Sequence, residues 1–575
     1  MLRTFLLRLL ALLLAAGVAA LFLWPVKHHR AVHPVTDAML LQADSGGEWL
    51  TYGRDYSNQR FVPYTEINRG SIKHLQLIWQ QGPRRLIKTY QRNESTPLVA
   101  DGMLIYTDPG MRLASPGNHV FAVDIVTGRQ IWSWYRKPGT TALCCSLVNR
   151  GAALYGDKVY VATLDAHLIA IDRGTGKTVW DAPVASPADG YSFTMAPLAA
   201  SGKILIGSSG GEFRIRGFLD AYDAETGKRD WRFWTVPSPA DGGWWGNFVS
   251  KTPDGDPLHR DTAQEHRDSA AYAGSWKLGG GPVWTTPSYD PTLGLVIFGI
   301  GNPSPFEGGV PPGDNLYTGS LAAVDLATGK LRWYYQMIPH DEWDYDPASP
   351  TVLVDVVQRG DTIPAVAQAG KTGWVYVVDR RTGARLLRSE PFVPLKNIFP
   401  RPTSEGAVTS PGNHGGSGWP AAAYSPATGA LYVLGTYDPM SYRVDTTAIR
   451  AADARTPHTR EHPGKHLFGK WEHGKGTEKF GTVTAVDVST GKIRWQYKTP
   501  VKLMDGGALA TGSGLVFFTQ PHSIVALDAQ TGALVWRHDL GERFVLGPPI
   551  SFLDHGRQRI AITSDLGITA LGLKP

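Results

Sequence analysis

Cysteine is almost absent: Cys144 and Cys145 are the only two in 575 residues. Two cysteines cannot build the disulfide framework of a small secreted fold or a four-thiolate metal site. No Cys-x-x-Cys-His run exists to attach a covalent haem. The pair is adjacent, so a bond between them would join Cα atoms about 3.8 Å apart across a trans peptide or about 2.9 Å across a cis one, below the usual disulfide range of about 4.4–6.8 Å. Such a bond would be strained and would close almost no loop. Geometry alone leaves two readings open: a strained disulfide that marks a local site, or two reduced thiols packed as small apolar side chains.

Charge of one sign is also lacking. Lys and Arg number 57 against 51 Asp and Glu, a net +6, and they are interspersed rather than gathered into stripes, which excludes a nucleic-acid footprint. Long helical patterns are scarce. Gly 65, Pro 41 and Trp 19 favour many short strands joined by turns.

Only one long apolar run exists, residues 9–26, with Arg3 and Arg8 before it and Lys27, His28, His29 and Arg30 after it. It is barely long enough to span a bilayer. Ala19 and Ala20 offer a peptidase small residues, yet residues 21–24 continue the run, which favours an uncleaved membrane anchor over a cleaved signal segment. Positive charge on both flanks leaves the orientation undecided. If Cys144 and Cys145 are bonded, the body lies in an oxidising compartment, most simply the periplasm.

What is present is a repeat. Ala-x-Asp-x-x-Thr-Gly-x-x-x-Trp occurs six times, ending at Trp132, Trp180, Trp231, Trp333, Trp495 and Trp536. Two relatives, at 377–383 and 423–429, keep Thr-Gly and lose the Trp. A short apolar strand precedes each full copy, Asp and Thr-Gly make a tight turn, and the Trp returns on the next strand to pack on the neighbouring unit. One such unit cannot bury its own face; a closed ring can. The Thr-Gly pairs at 127, 175, 226, 328, 382, 428, 490 and 531 predict an all-β, eight-bladed β-propeller over residues 38–575, preceded by the segment 1–30. An open solenoid is disfavoured because no polar capping repeat stands at either end. Residues 237–281 and 437–480 break the rhythm and are expected to be loops on one face, with no second domain.

Four segments gather chemistry near blade turns: residues 207–213, with Ser209, Gly210, Gly211 and Glu212; Asn302, eighteen residues after Trp284; residues 339–346, dense in ionisable groups; and Lys371 before a strand. Glu, Asn and Asp are hard oxygen donors, suited to calcium or a similar cation. Taken together these segments resemble the quinoprotein alcohol dehydrogenases, periplasmic eight-bladed propellers that hold pyrroloquinoline quinone (PQQ) beside a metal ion. The resemblance runs from Trp49 to Pro549.

The resemblance implies roles for individual residues. Cys144 and Cys145 match a disulfide ring that stacks on the quinone, and Trp284 matches the indole on its other face. Glu94, Arg150, Thr194, Ser209, Gly210 and Gly211 match cofactor-binding positions. Glu212, Asn302 and Asp344 match the metal ligands, and Asp346 an extra carboxylate of lanthanide-using members. Asp344 also matches the catalytic base, and Lys371 the cation on the reactive quinone oxygens. The implied reaction is oxidation of a small alcohol or polyol with PQQ and one Ca2+ or lanthanide ion. Electrons pass to a separate cytochrome c or to ubiquinone, at the periplasmic face of the inner membrane or, if the N-terminal segment is cleaved, in the soluble periplasm. Two departures, Ser417-Gly418-Trp419 and residues 502–507, fall near the substrate mouth and put the substrate class in doubt. Two alternatives remain: a membrane PQQ polyol or sugar dehydrogenase that reduces ubiquinone, and a non-catalytic envelope scaffold, since propellers host both kinds of function.

Overall fold

The turn chemistry of the repeat builds the sheets. Asp Oδ1 accepts the N–H of the Thr three residues on, at 3.0 Å for Asp124–Thr127, 2.7 Å for Asp172–Thr175 and 2.9 Å for Asp487–Thr490. The following Gly takes a φ of +68° at Gly128 and +72° at Gly176, a conformation that costs glycine nothing. Each turn therefore ends one strand and reverses the next against it.

The computed structural model describes residues 31–42, 46–82, 93–110, 117–139, 143, 147–305, 308–401, 403–444, 469–473 and 478–574. The apolar run at 9–26 and the pair Cys144–Cys145 lie outside the described residues. Among those described, no helix is long and apolar enough to cross a membrane. Among the described residues, eight sheets share an antiparallel order of four strands, as in Leu98–Ala100, Met103–Asp108, Asn118–Asp124 and Gln130–Arg136, and one of them gains a fifth, parallel strand at Phe61–Val62. The first strand of that sheet is wholly buried, and its fourth alternates with exposed positions. First strands thus line the centre and fourth strands the rim.

Tryptophans join sheet to sheet. Trp132 Nε1 donates to Arg173 O at 2.8 Å, and its ring lies so close over Gly176 that a Cβ there would stand 2.8 Å from the indole. The same docking pairs Trp180 with Gly227, Trp231 with Gly329, Trp333 with Gly383 and Trp495 with Gly532. A further docking residue, Trp79, lacks the repeat motif. It lies on Leu75–Gln81, which pairs with Gly567–Leu573 and so completes a sheet begun at the other end of the chain. Its Nε1 donates to Ile125 O at 2.7 Å over Gly128.

This closure corrects the turn arithmetic. Thr428-Gly429 lies between Ala423–Ser425 and Ala430–Tyr437, the first and second strands of a sheet whose outer turn is Thr490-Gly491. The sheet closed by Leu75–Gln81 has no outer turn, because its third and fourth strands belong to opposite chain ends. Trp536 accordingly has no Thr-Gly turn to cover; it is half-buried and stacks on His538 at 5.6 Å.

The centre of the ring is crossed by residues 47–62. Gly47 O, Tyr56 O, Ser57 O, Gln59 O and Arg60 O accept N–H groups of Leu553, Tyr289, Leu353, Tyr424 and Ala510, all at 2.8–2.9 Å, and Trp49 exchanges two bonds with Val99. Six innermost strands, whose edges would otherwise be open, are thereby paired. The two irregular segments are not plain loops. Residues 237–281 contain the helix Thr262–Asp268, and residues 437–480 contribute Met440–Val444 and Gly469–His473 to a three-stranded sheet with Ala407–Thr409.

Candidate active site

The stretch entering each first strand and the stretch leaving each second strand lie at the same end of an antiparallel sheet. Glu94, Arg150, Thr194, Trp284, Asp344 and Asp346 precede first strands; Ser209–Glu212, Asn302 and Lys371 follow second strands. Position in the sheet alone thus gathers them at one end of the central channel. There they surround a cavity of about 470 Å3. Of the expected residues within the described range, all but Thr194 and Gly211 line it, and these two stand just behind the wall.

On one side Arg150 and Glu94 form an ion pair at 2.7 Å, with side chains only 6% and 2% exposed. Arg150 Nη1 also donates to Thr194 Oγ1 at 2.9 Å, and Thr194 Oγ1 lies 2.8 Å from Ser209 Oγ. The guanidinium sits 4.9 Å from the Trp284 ring centre, a cation–π contact that holds the indole as a wall. Beneath, the buried Tyr52 packs with Ala196 and Ala421. Burial pushes its hydroxyl pKa up against the opposing pull of Arg60 and Arg150. Gly210 has φ +112°, and a Cβ on it would meet Gly190 O at 2.2 Å, so only bare backbone fits this edge.

On the other side Lys371 Nζ reaches Asp344 Oδ2 at 3.1 Å, Asp346 Oδ2 at 3.2 Å and Asp344 O at 2.9 Å. Burial alone would lower the pKa of this lysine; the two carboxylates outweigh it and raise it above the ordinary range. Asp344 has φ +62°, uncommon for a side-chain-bearing residue. The loop that carries it is fixed from within: Asp341 is wholly buried, and its Oδ1 and Oδ2 accept the N–H groups of Trp343 and Tyr345, each at 2.9 Å. Burial, reinforced by Asp346, pushes the Asp341 carboxyl up to about 7. From outside, the inserted segment braces the same loop. Arg260 binds Glu265 at 2.6 Å and Asp314 at 2.9 Å, and His340 Nδ1 lies 2.8 Å from Gly313 O.

Glu212, Asn302 and Asp344 line one cavity and offer carboxylate and amide oxygens, the donor set a hard cation takes. Asp346 is differently placed: its Oδ1 accepts the Asn302 N–H and its Oδ2 faces Lys371. Among the described residues no three His, Cys, Asp or Glu side chains stand close enough together to hold a metal by themselves. Sequence reasoning assigned no role to Asn413, His414 and Thr436 and noted Leu503, Met504 and Asp505 only as departures; all six line the cavity. Their signal was positional, since most of them precede the first strands Ala423–Ser425 and Ala508–Thr511.

A cavity walled by an indole and a buried ion pair, at the end of a ring of four-stranded antiparallel sheets, defines a β-propeller protein with its site at the mouth of the central channel. Residues 49–397 and 388–560 match the family described as PQQ: Glucose/ethanol/alcohol dehydrogenase, beta-propeller domain, and the chain belongs to that family. It is 34% identical over 558 residues to the quinohemoprotein alcohol dehydrogenase ADH IIB of Pseudomonas putida, covering 91% of this chain and 74% of that protein. It is 31% identical over 560 residues to the lanthanide-dependent methanol dehydrogenase of Methylacidiphilum fumariolicum, covering 92% and 87%. Among solved structures a europium-containing methanol dehydrogenase superimposes with a TM-score of 0.78 at 29% identity, covering 92% of each chain.

Proposed function

We propose that this protein oxidises alcohols in the periplasm as a PQQ- and metal-dependent dehydrogenase. The observation that carries the reading is Lys371 set between Asp344 and Asp346, in one cavity with Trp284 and the Arg150–Glu94 pair. Bound PQQ supplies a two-electron acceptor, and a hard cation such as Ca2+ or a lanthanide supplies a Lewis acid. Arg150, Glu94, Ser209 and Gly210 would hold the cofactor, with Thr194 and Gly211 supporting them. Trp284 would cover one face of the cofactor; Cys144 and Cys145, which the family resemblance sets on the other, lie outside the described residues. Glu212, Asn302 and Asp344 would hold the cation; Asp346 is committed to Lys371 and the Asn302 backbone.

Asp344 accepts the proton of the substrate hydroxyl. Lys371 and Asn413, the latter 3.4 Å from Asp344 Oδ2, orient its carboxylate, and Lys371 carries a positive charge toward oxygens that become negative in the reaction. In this reading the electron acceptor is a cytochrome c or a membrane quinone. The segment 1–30 anchors the propeller or directs its export.

The test is reconstitution with PQQ and either Ca2+ or a light lanthanide, followed by an alcohol panel with an artificial acceptor. Asp344→Asn should still fold and bind PQQ while kcat drops about 10²–10⁴-fold, the usual contribution of a general base. A PQQ-loaded Asp344→Asn protein with normal turnover, or a wild type that binds no PQQ under either metal, overturns the reading.

A further inference from the structure

The apolar run at 9–26 ends seven residues before His33, and from His33 the chain is strapped across one end of the ring. Val35 exchanges two backbone bonds with Gly156, each at 2.8 Å. His33 N donates to Asp101 Oδ2 at 3.0 Å, and its ring nitrogen Nδ1 lies 2.7 Å from Asp101 Oδ1. Asp37 accepts the Ser201 N–H at 2.8 Å and the Tyr155 hydroxyl at 3.0 Å. Arg173, fully buried, donates to both His33 O and Asp101. Val35 and Leu40 are buried in the main core.

Asp101, Gly156 and Ser201 each stand in the turn between the first and second strands of a sheet, in three successive sheets, and Arg173 directly follows a third strand, His167–Asp172. In an antiparallel sheet that end is opposite to the one where first strands are entered and second strands are left. The cavity residues gather at the latter end, so the strap holds the end remote from the cavity. A second strand such as Met103–Asp108, six residues at about 3.3 Å each, sets the two ends about 20 Å apart. The strapped end also carries a depression of about 360 Å3 whose lining includes Leu40, Leu41, Phe61, Pro63, Pro291 and Pro426, with Leu41 51% exposed.

We propose that the strapped end is the face this protein presents to a lipid bilayer, with residues 9–26 as the tether and the cavity mouth directed away into water. The seven residues from Val26 to His33 reach at most about 25 Å, which keeps the strapped end close to the lipid. The strap cannot pivot without breaking its paired backbone bonds, and unpaired backbone groups are costly. Alcohol and electron acceptor therefore reach the cavity through the aqueous phase. This rests on the anchoring reading above and not on the oxidation.

The experiment places the full-length protein in liposomes and compares fluorescent labels carried by Lys177→Cys and Arg267→Cys. Both positions are exposed; Lys177 follows an outer turn at the strapped end, and Arg267 lies in the inserted segment at the cavity end. Wild-type protein treated alike gives the background from Cys144 and Cys145. A headgroup-labelled lipid should quench the Lys177→Cys label about twofold more, given the difference in height. The double variant His33→Ala, Asp37→Ala should stay with the membrane and lose most of that difference. Equal quenching, stronger quenching at Arg267→Cys, or a difference unmoved by the double variant overturns the proposal. So does a mature protein that begins after Ala20 and remains in the aqueous fraction, since the tether is then gone. No PQQ is added, so failure here leaves the oxidation reading standing, and a failed PQQ titration leaves this one.

Discussion

Lys371→Met replaces a buried ammonium by a side chain of similar length. The ammonium stands 3.1 and 3.2 Å from two carboxylates whose side chains are 15% and 6% exposed. At an effective dielectric of about 20 each contact is worth about 5 kcal/mol, part of which offsets the desolvation of the three charges. Loss of one partner from a buried pair costs about 3–5 kcal/mol, and that is the expected fall in unfolding free energy, read from urea midpoints at constant slope. Because the pairs raise the pKa of Lys371, its contribution is fully present below the unfolded value of about 10.4. It disappears only as pH rises through the still higher folded value, so the loss should be constant from about pH 6 to 9. A cation bound by Asp344 can replace part of the missing charge, so Ca2+ or La3+ at about 100 times its dissociation constant should restore about 2.7 kcal/mol. A metal-free Lys371→Met protein within about 0.5 kcal/mol of wild type, the noise of an ordinary surface change, would refute the claim that the two acids depend on this lysine.

Ring closure is tested by two tryptophans. Trp79→Ala should destabilise by about 3–5 kcal/mol, as for a buried aromatic, whereas Trp536→Ala, half-buried with no glycine turn beneath it, should cost clearly less in the same denaturation assay; equal losses would contradict the closure at Leu75–Gln81. His340 provides a pH test. Burial first, and Arg260 second, hold its pKa down to about 4, against the opposing pull of Glu265 and Asp314. The unfolded chain therefore protonates it first, and stability should fall by about 3 kcal/mol as pH drops from about 6.5 to about 4. His340→Asn, which tolerates the local φ of +54°, should flatten that part of the stability–pH curve; an unchanged slope argues that other groups carry it.

Much of the ring was legible because its signal is local. Asp-x-x-Thr-Gly specifies a turn through contacts within four residues, so six copies disclose sheets without any knowledge of their partners. Trp79 was not legible, because the turn it covers is at Gly128 and the three other strands of its own sheet lie about five hundred residues away in sequence. Thr428-Gly429 misled for a related reason: the dipeptide fits an inner turn as well as an outer one, and only strand pairing distinguishes them. The two segments that interrupt the repeat read as loops because their polar composition hides how they pack. Arg260, Glu265 and Asp314 make one of them a brace for the loop of Asp344.

The sequence by itself determined the Asp-x-x-Thr-Gly turns, the docking roles of Trp132, Trp180, Trp231, Trp333 and Trp495, and the family, since each rests on residue types at fixed short spacing. It also set out the oxygen donors and cations in an order that resembles a quinoprotein site. Tertiary structure alone decided which groups meet: Arg150 with Glu94, and Lys371 with both Asp344 and Asp346. Those pairings join residues 25 to 56 positions apart, where no periodicity reaches. Ring closure, which turns the ends of eight sheets toward one axis, is what brings them within hydrogen-bonding distance.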